Sequence, residues 1–532
     1  MPNIIGDIVF GHTMPFVVTA GAVSTFLLYH LYSSRHKNDL LNAFPTPGSS
    51  YPYIGHLLDY KRFSGPGLKK LHDELGPIFR VQMGQQLWIV ISDPKILHQL
   101  LVTNGVIASS RPVQEFTAHQ YSHNERGIVF QKANARWKQL RAAAAAYAMS
   151  AKAVSKNISI LQNDASTLAS DLIQACNFNH NTESAVCKGS DAISTTDTLS
   201  SIDPLRILKK TSLSYILQTC FGTKIDSVDE AFLQQAFEFT EQTLRLAGTH
   251  NDFEGFLPIL SYLKTIPGYS NKKNKNKEYL VLAESFRRKL LDLAINSEQY
   301  SMFKKLYNEQ KELGLEEVDL LVASGDIVVG ATQAVTVVIV WIFAILLHYP
   351  DVHLKLCNEV DIFIKEHNRL PLFSERSQFP YLNSVVRESM RYRGTNFTTL
   401  PHILEKDVQC QGYVFPKGVL ILPSAYTMHR DPHRYPDPDM FYPERFLEET
   451  RTMAAAAAGK IDERDHFMYG WGRRICPGIL LAETQIFMYL TSVIARCDLK
   501  PPADGSLPDF DEIRDGGVVA MPPPFEVRFN RR

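Results

Sequence analysis

Hydrophobic residues are most concentrated in two stretches of this chain, residues 15–32 and 320–347. The first contains no Lys, Arg, Asp or Glu, and about 18 residues of helix rise roughly 27 Å, close to the thickness of a bilayer's hydrocarbon core. Arg35 and Lys37 follow it, whereas the segment before it carries Asp7 and no basic residue. This pattern predicts one membrane-spanning helix with the rest of the chain in the cytoplasm. A cleaved signal peptide is the alternative.

The second stretch has a different composition, because Asp326 is its only charged residue but other polar or small residues interrupt it. They are Ser324, Gly325, Gly330 and Gln333. The stretch is too apolar for a surface helix, so we predict a helix through the centre of a large, mainly helical globule. Runs typical of short β-strands are fewer and make sheet the minor component. These runs are residues 78–83, 87–91 and 418–422.

Proline and polar residues divide the rest of the chain. Pro45-Thr46-Pro47-Gly48 cannot continue a helix and is typical of a stiff hinge. We predict a luminal stub with a membrane anchor at residues 1–40, a proline-rich hinge at 41–56 and one catalytic domain at 57–532. Polar composition also predicts loops at residues 177–201 and 271–277. The alanine run at residues 454–458 lies between a glutamate-rich segment and Gly459-Lys460, and we predict a surface insertion there.

Charge and cysteine content exclude several classes of protein. The 532 residues contain 56 Lys and Arg against 56 Asp and Glu, so nothing indicates nucleic-acid binding, which needs a strongly basic surface. The seven cysteines form an odd set without a C-x-x-C pair. This argues against a disulfide framework and against a zinc site.

One cysteine lies among glycines at fixed spacing. Gly470, Gly472 and Gly478 surround Cys476, and they let the backbone pass close to a flat ligand while directing amide groups at the sulfur. Pro477 suits the start of the next helix, whose positive N-terminal end favours an anionic sulfur. A lone cysteine is usually an inert buried residue. These neighbours instead favour a thiolate that binds a metal.

This loop resembles the haem-binding signature of the cytochrome P450 superfamily. The matching residues are Gly470, Gly472, Arg474, Cys476 and Gly478. One position departs, because the signature usually opens with Phe and this chain has Tyr469, whose hydroxyl needs a partner if it is buried. The resemblance extends from about residue 45 to the C-terminus. It implies the cytochrome P450 fold, mainly α with a small β-rich lobe and an N-terminal transmembrane helix, and haem b (iron protoporphyrin IX) bound through Cys476.

The resemblance also implies a buried charge triad behind the haem. Glu388 and Arg391 lie one helical turn apart, a spacing that by itself means little. In the family, a Glu-x-x-Arg pair meets an arginine from a later segment, which here is Arg445. The expected role of the three residues is structural.

Further residues resemble the family's contacts to the haem and its propionates. Trp137 and Arg141 match a Trp-x-x-x-Arg pair, while Arg474 and His402 occupy positions similar to other propionate partners. Buried carboxylates need such cations nearby. The full set of expected cofactor contacts is Trp137, Arg141, His402, Tyr469, Arg474 and Gly478.

The central helix departs from the family pattern. The family usually has an acid followed by a threonine, which pass protons to dioxygen; counted back from Pro350, this chain has Gln333 and Ala334. Glutamine cannot relay protons as an acid does, and alanine has no hydroxyl. Thr332 or Thr336 could take over, a substrate hydroxyl could complete the relay, or the enzyme could use oxygen differently. Harmless drift at a tolerant site is a further alternative. The candidate catalytic residues are therefore Gln333, Thr332 and Thr336.

By resemblance, the expected reaction is insertion of one oxygen atom from O2 into a lipophilic small molecule, such as a steroid, terpenoid, fatty acid or aromatic. Electrons would come from NADPH through NADPH-cytochrome P450 reductase, with cytochrome b5 as an optional second donor. The basic surface expected to dock the reductase consists of Lys132, Arg136, Lys138 and Arg473. The substrate-facing segments would be residues 113–130, 323–336, 395–400 and 518–521.

The expected location is the endoplasmic reticulum membrane, with a single span and a cytoplasmic catalytic domain. The amino-acid sequence of the cysteine loop is similar to that of microsomal enzymes of fungi. Two rival functions remain: a haem-thiolate isomerase or peroxygenase that does not need the usual distal acid and threonine, and a haem-binding protein without catalytic activity.

Overall fold

The computed structural model describes residues 41–48, 50–186, 200–248, 251–262 and 271–532. The predicted membrane helix at residues 15–32 lies outside the described residues, and the division of the chain at residues 40 and 56 stays a prediction. The helices are α1 (Gly65–Leu75), α2 (Pro94–His98), α3 (Ala135–Ala144), α4 (Ala151–Lys156), α5 (Ile158–Val186), α6 (Leu205–Phe221), α7 (Glu230–Leu246), α8 (Phe253–Phe256), α9 (Ile259–Tyr262), α10 (Asn271–Asn296), α11 (Met302–Glu309), α12 (Glu317–His348), α13 (Pro350–His367), α14 (Pro380–Tyr392), α15 (Ala425–Met428), α16 (Met453–Ala458) and α17 (Ile479–Arg496).

Helix α12 is the predicted core helix, and it runs through the largest apolar cluster of the fold. A capping box defines its start, because Glu316 and Asp319 each accept a hydrogen bond from the other's backbone N–H. It ends at Tyr349, since Pro350 cannot continue a helix and instead begins α13. Both α12 and α17 are long and apolar enough to cross a membrane, but 83% and 78% of their most apolar windows are buried inside the protein. They are therefore core helices, and the prediction for residues 320–347 is confirmed.

A small mixed sheet lies beside the helical body. The strands are β1 (Ile78–Met83), β2 (Gln86–Ile91), β3 (His402–Ile403), β4 (Val408–Cys410), β5 (Tyr413–Phe415), β6 (Leu420–Pro423), β7 (Cys497–Lys500), β8 (Arg514–Asp515), β9 (Ala520–Met521) and β10 (Arg528–Arg531). The order in the main sheet is β1-β2-β6-β3, with β2 and β6 parallel and the other pairs antiparallel. Three two-stranded pairs complete the described sheets, namely β4–β5, β7–β10 and β8–β9. The predicted strands are present, although the third begins at Leu420 rather than at residue 418.

The two polar segments predicted as loops and the alanine run predicted as a surface insertion all contain helix, so the two loop predictions were wrong at least in part. Helix α5 continues to Val186, and residues 271–277 form the first turns of α10. The alanine run belongs to α16, which Thr452 caps and whose Met453 and Ala456 are buried. The error has a common cause. Polar composition indicates exposure to water, but Lys and Glu are good helix formers.

Candidate active site

The loop before α17 holds Cys476 by several backbone contacts. The Cys476 N–H donates to the Tyr469 carbonyl at 2.8 Å, and residues 472–474 form a short 3-10 turn. Gly472 has a φ of 51°, and a Cβ at this position would lie 2.1 Å from the Leu101 carbonyl oxygen. Only glycine fits there, because both the backbone conformation and the approach of the neighbouring chain forbid a side chain.

The Cys476 thiol lies within the protein, where it borders an open space inside the fold. Burial raises the pKa of the Cys476 thiol, whereas the Gly478 N–H and Arg141 act in the opposite direction. Gly330 and Ala334 are likewise exposed in the middle of the otherwise buried helix α12, and they lie one turn apart on the same face. A Cβ at Gly330 would meet nothing within 4 Å. An exposed strip on a core helix and an enclosed thiol indicate an internal ligand site.

A cluster of arginines lies at the same site. The Arg474 guanidinium carbon is 4.6 Å and that of Arg141 is 5.4 Å from the centre of the Trp137 ring. Burial, together with neighbouring arginines, lowers the pKa of Arg474 to about 8 and that of Arg111 to about 9. Within the described ranges, none of these arginines forms an ion pair with Asp or Glu. Buried cations without counterions need an anionic ligand.

Arg111 was not predicted from the sequence. Its guanidinium donates to the carbonyls of Leu400 and Pro401 at 3.0 and 2.7 Å, and its pKa is lowered by burial and further by the positive charge of Arg141. The residue stands between Ser110 and Pro112 without any spacing pattern that would have distinguished it. Only the fold brings it to the other arginines.

His402 lies close to this cluster, but its neutral ring has no free N–H to donate to a carboxylate. Its Nδ1 is 2.7 Å from the Ala108 carbonyl, so Nδ1 carries the proton when the ring is neutral. Burial and Arg111 hold the pKa of His402 well below its usual range. The neutral ring therefore presents a lone pair at Nε2, and it would need to be protonated to serve a carboxylate.

Glu388, Arg391 and Arg445 meet in one buried group. Arg391 donates to both Glu388 carboxylate oxygens at 2.7 and 2.8 Å, and Arg445 Nε donates to Oε1 at 3.2 Å. The remaining N–H groups of Arg391 bind the carbonyls of His429, Pro438 and Met440. Glu388 and Arg391 have side chains with no exposed surface. The group thus ties α14 to the segment at residues 429–445.

The extra hydroxyl of Tyr469 finds partners in sulfur. It donates to Met453 Sδ at 3.2 Å, and Met390 Sδ is 3.8 Å away. Burial raises the pKa of Tyr469, so the hydroxyl stays protonated. Met453 comes from α16, which therefore supports the cysteine loop from behind.

The three candidate catalytic residues are buried but face different neighbours. Gln333 donates to Met521 Sδ at 3.4 Å, while Thr336 donates to the Thr332 carbonyl at 2.8 Å and lies 3.3 Å from Ser212 Oγ on α6. Successive helical residues are 100° apart, so Thr332 and Thr336 lie on the side of α12 opposite Gly330 and Ala334. The structure does not bring their hydroxyls to the exposed strip.

Three of the predicted substrate-facing segments meet at β9. The Ala520 N–H donates to the Thr395 carbonyl at 2.6 Å, and Gln333 of α12 donates to Met521 Sδ at 3.4 Å. In the fourth segment, Phe116 and Phe130 are partly exposed and pack on Tyr121. These aromatic and aliphatic surfaces suit an apolar ligand.

The predicted basic surface is partly neutralised. Lys132 pairs with Glu125 at 3.2 Å and Arg136 pairs with Glu316 at 3.1 Å. Lys138 is exposed on α3, and the Arg473 guanidinium lies 5.9 Å from the Trp137 ring.

A thiol donor, a cluster of arginines without counterions and an exposed strip on a core helix fit an iron porphyrin, whose two carboxylates the arginines could bind. Comparison with known proteins gives the same class. The family model Cytochrome P450 matches residues 45–529. The chain belongs to the cytochrome P450 family, whose cofactor is haem b, and it is a haem-dependent monooxygenase by class.

Curated relatives and solved structures agree with this assignment. The chain is 26% identical to "Cytochrome P450 monooxygenase acuD" of Aspergillus aculeatus, covering 93% of this chain and 90% of the relative. It is 26% identical to rabbit (Oryctolagus cuniculus) cytochrome P450 2C2, with 97% and 99% covered, and 27% identical to the steroid 17-alpha-hydroxylase/17,20 lyase of Felis catus, with 92% of each covered. A zebra fish cytochrome P450 structure with progesterone has a TM-score of 0.70 at 21% identity, covering 88% of this chain and 99% of that one. That likeness shows the fold.

Proposed function

We propose that this protein inserts one oxygen atom from O2 into a lipophilic small molecule, with electrons from NADPH delivered by NADPH-cytochrome P450 reductase and optionally by cytochrome b5. The observation that carries the proposal is the enclosed Cys476 thiol beside arginines that lack counterions. When bound through this sulfur, the haem iron supplies the oxygen-activating chemistry. The protein binds and orients the cofactor and substrate and supplies protons.

The arginine cluster would hold the haem carboxylates. Arg141 and Arg474 stack on Trp137, and Arg111 adds a third positive charge to the same group. Charge-assisted hydrogen bonds to a carboxylate are stronger than neutral ones, and they would satisfy guanidinium groups whose burial is otherwise costly. The backbone N–H of Gly478, which lowers the pKa of Cys476, would moderate electron donation from the sulfur.

Proton delivery is the unusual part of the proposal. Ala334 offers no hydroxyl, Gln333 has its amide directed at Met521, and the Thr336 hydroxyl is engaged on the far side of α12. A water or a hydroxyl of the substrate would therefore carry the proton past Ala334. The same arrangement favours a second candidate, a haem-thiolate isomerase or peroxygenase, which would turn over without NADPH.

The substrate is proposed to be lipophilic because the surrounding side chains are aromatic and aliphatic. Among the relatives, one is named a steroid hydroxylase, and the similar zebra fish structures contain progesterone and abiraterone. Polycyclic molecules of steroid or terpenoid size are accordingly the first compounds to test.

A membrane location is supported by an exposed apolar surface beside the N-terminal segment. Leu58 is 68% and Ile259 is 54% exposed, and the Ile259 N–H donates to the Tyr53 hydroxyl at 3.3 Å, which joins the two segments. Phe253 on α8 is also exposed. Such a surface next to a predicted anchor suits contact with the endoplasmic reticulum membrane, with the catalytic domain cytoplasmic. Lys138 and Arg473 would then face an acidic reductase.

The function is tested by incubating the reconstituted protein with reductase, NADPH and a panel of steroids, terpenoids and fatty acids. We expect a hydroxylated product that requires NADPH and contains one atom from 18O2. A rearranged product or a peroxide-driven product formed without NADPH would instead establish the second candidate.

A further inference from the structure

Asp326 is the only charged residue in the apolar stretch at residues 320–347, and no step of the proposed function uses it. Its side chain is 4% exposed in the middle of α12. A carboxylate there is costly unless several donors satisfy it. Its hydrogen-bond donors account for its presence, and they come from outside α12.

Asp326 holds a short backbone segment, residues 127–129, which we name the strap. Its Oδ2 accepts hydrogen bonds from the N–H groups of Ile128 at 2.6 Å and Val129 at 3.1 Å. Gly127 permits this approach, because its φ is 86° and a Cβ there would lie 2.5 Å from the same oxygen. Oδ1 accepts from the Tyr121 hydroxyl at 3.0 Å.

The other side of the strap faces the arginine cluster. The Ile128 carbonyl accepts from Trp137 Nε1 at 3.1 Å and from Arg474 Nη1 at 3.2 Å. The Val129 carbonyl accepts from Arg111 Nε at 3.4 Å. Two consecutive residues, Ile128 and Val129, therefore present their N–H groups to Asp326 and their C=O groups to three side chains of the proposed haem-carboxylate site.

We propose that Asp326 is a positioning residue for the haem carboxylates: by fixing the strap, it orients Trp137, Arg111 and Arg474. Arg287 supports the arrangement, since its guanidinium stacks 4.1 Å from the Tyr121 ring and donates to the Tyr121 carbonyl at 2.9 Å. Partners that orient a cofactor's ligands commonly change cofactor affinity by about 10- to 100-fold when they are removed. The inference rests on the arginines of the proposed function.

The first experiment measures haem transfer from the holoprotein to apomyoglobin for Asp326→Ala, Asp326→Asn and Arg474→Met. We expect transfer about tenfold faster in Asp326→Ala and in Arg474→Met. We expect partial rescue in Asp326→Asn, which keeps an acceptor oxygen. The matched control is Asp164→Asn, a buried aspartate on α5 that accepts from Ser214 Oγ at 2.8 Å and does not contact the strap.

The second measurement is amide hydrogen exchange in the peptide that contains residues 127–129, which requires no turnover. Asp326→Ala should lose protection there and Asp326→Asn should lose part of it, whereas Arg474→Met should keep it. Unchanged protection, or haem transfer no faster than in Asp164→Asn while Arg474→Met is fast, would overturn the inference and leave the proposed function standing. Slow transfer in Arg474→Met would instead count against the carboxylate assignment. If Asp326→Ala does not fold, Asp326→Asn decides through the exchange measurement.

Discussion

The Glu388–Arg391–Arg445 group and the α12 side of the proposed haem pocket differ in how completely protein contacts satisfy their polar groups. In the Glu388 group, Arg391 uses all its N–H groups on Glu388 and three carbonyls. On the α12 side, Thr332 Oγ1 and Gln333 Oε1 are buried without a hydrogen-bond partner among the described residues. Arg391 and Glu388 are fully connected to their neighbours, whereas Thr332 and Gln333 are only partly connected.

The difference shows which part of the site tolerates change. A buried network of charges fails when one partner is removed, so its residues must change together or not at all. A position such as Ala334, which lies on an exposed strip, can change without stranding a charge. The chain accordingly keeps the residues proposed to bind the cofactor and departs from the family pattern at the residues expected to deliver protons.

The largest effect is expected from Glu388→Ala. The substitution leaves Arg391 and Arg445 buried without their carboxylate, so the free energy of unfolding should fall by about 3–5 kcal/mol. Urea unfolding of the purified protein measures it. In the exposed pair of Lys69 and Asp73, 2.6 Å apart, Asp73→Asn should cost less than about 0.5 kcal/mol. An equally small loss of unfolding free energy in both variants would show that the Glu388 group is no more sensitive than an exposed ion pair.

The next effect concerns Arg474→Met. Losing hydrogen bonds from a charged group costs about 1.5–3 kcal/mol, so haem affinity should fall roughly 10- to 100-fold. Titration of haem into the apoprotein measures the affinity. Lys138→Met is the control, because Lys138 is exposed on the same helix as Trp137 and Arg141. An affinity that falls equally in both variants would remove Arg474 from the carboxylate site.

A smaller effect is expected on the α12 side. Ala334→Thr restores a hydroxyl on the exposed strip and should raise product per NADPH roughly two- to tenfold, less than the 10²–10⁴ typical of a positioned acid or base. Thr336→Val should leave that ratio nearly unchanged, since the Thr336 hydroxyl faces Ser212. If Thr336→Val abolished product instead, Thr336 would be the proton donor. The α12 side would then depend on particular polar residues as strictly as the Glu388 group does.

The smallest effect is expected from Tyr469→Phe. Thioether sulfur is a weak acceptor, so the loss of the hydroxyl bond to Met453 should change the free energy of unfolding by less than about 1 kcal/mol. The melting temperature and the Soret band of the holoprotein measure it. A shifted Soret band with unchanged stability would mean that the hydroxyl influences Cys476 directly.

Candidate site residues that lie close together in the sequence could be proposed from the sequence alone. Cys476 and its glycines, the Glu388–Arg391 pair and the Trp137–Arg141 pair each belong to a short motif whose spacing is visible in the chain. Arg111 was missed because its partners, the carbonyls of residues 400 and 401, are 289 and 290 positions away. No local pattern encodes such a contact.

Asp326 stands out in the sequence, but its contacts could not be predicted from it. The sequence marks it as the lone charge in an apolar helix, but its partners at residues 121, 128 and 129 lie 197 to 205 positions earlier. Periodicity predicts that α12 is buried and says nothing about which loop crosses it. The engaged hydroxyl of Thr336 could not be predicted either, because it depends on where α6 packs.

The central claim is that Cys476 binds the haem iron as a thiolate, and the reduced, carbon-monoxide difference spectrum tests it most directly. We expect the strongly red-shifted Soret band of a thiolate haem in the wild-type protein, and its loss in Cys476→Ser with haem still bound. A wild-type spectrum without the red-shifted band, or a Cys476→Ser variant that keeps it, would contradict the account.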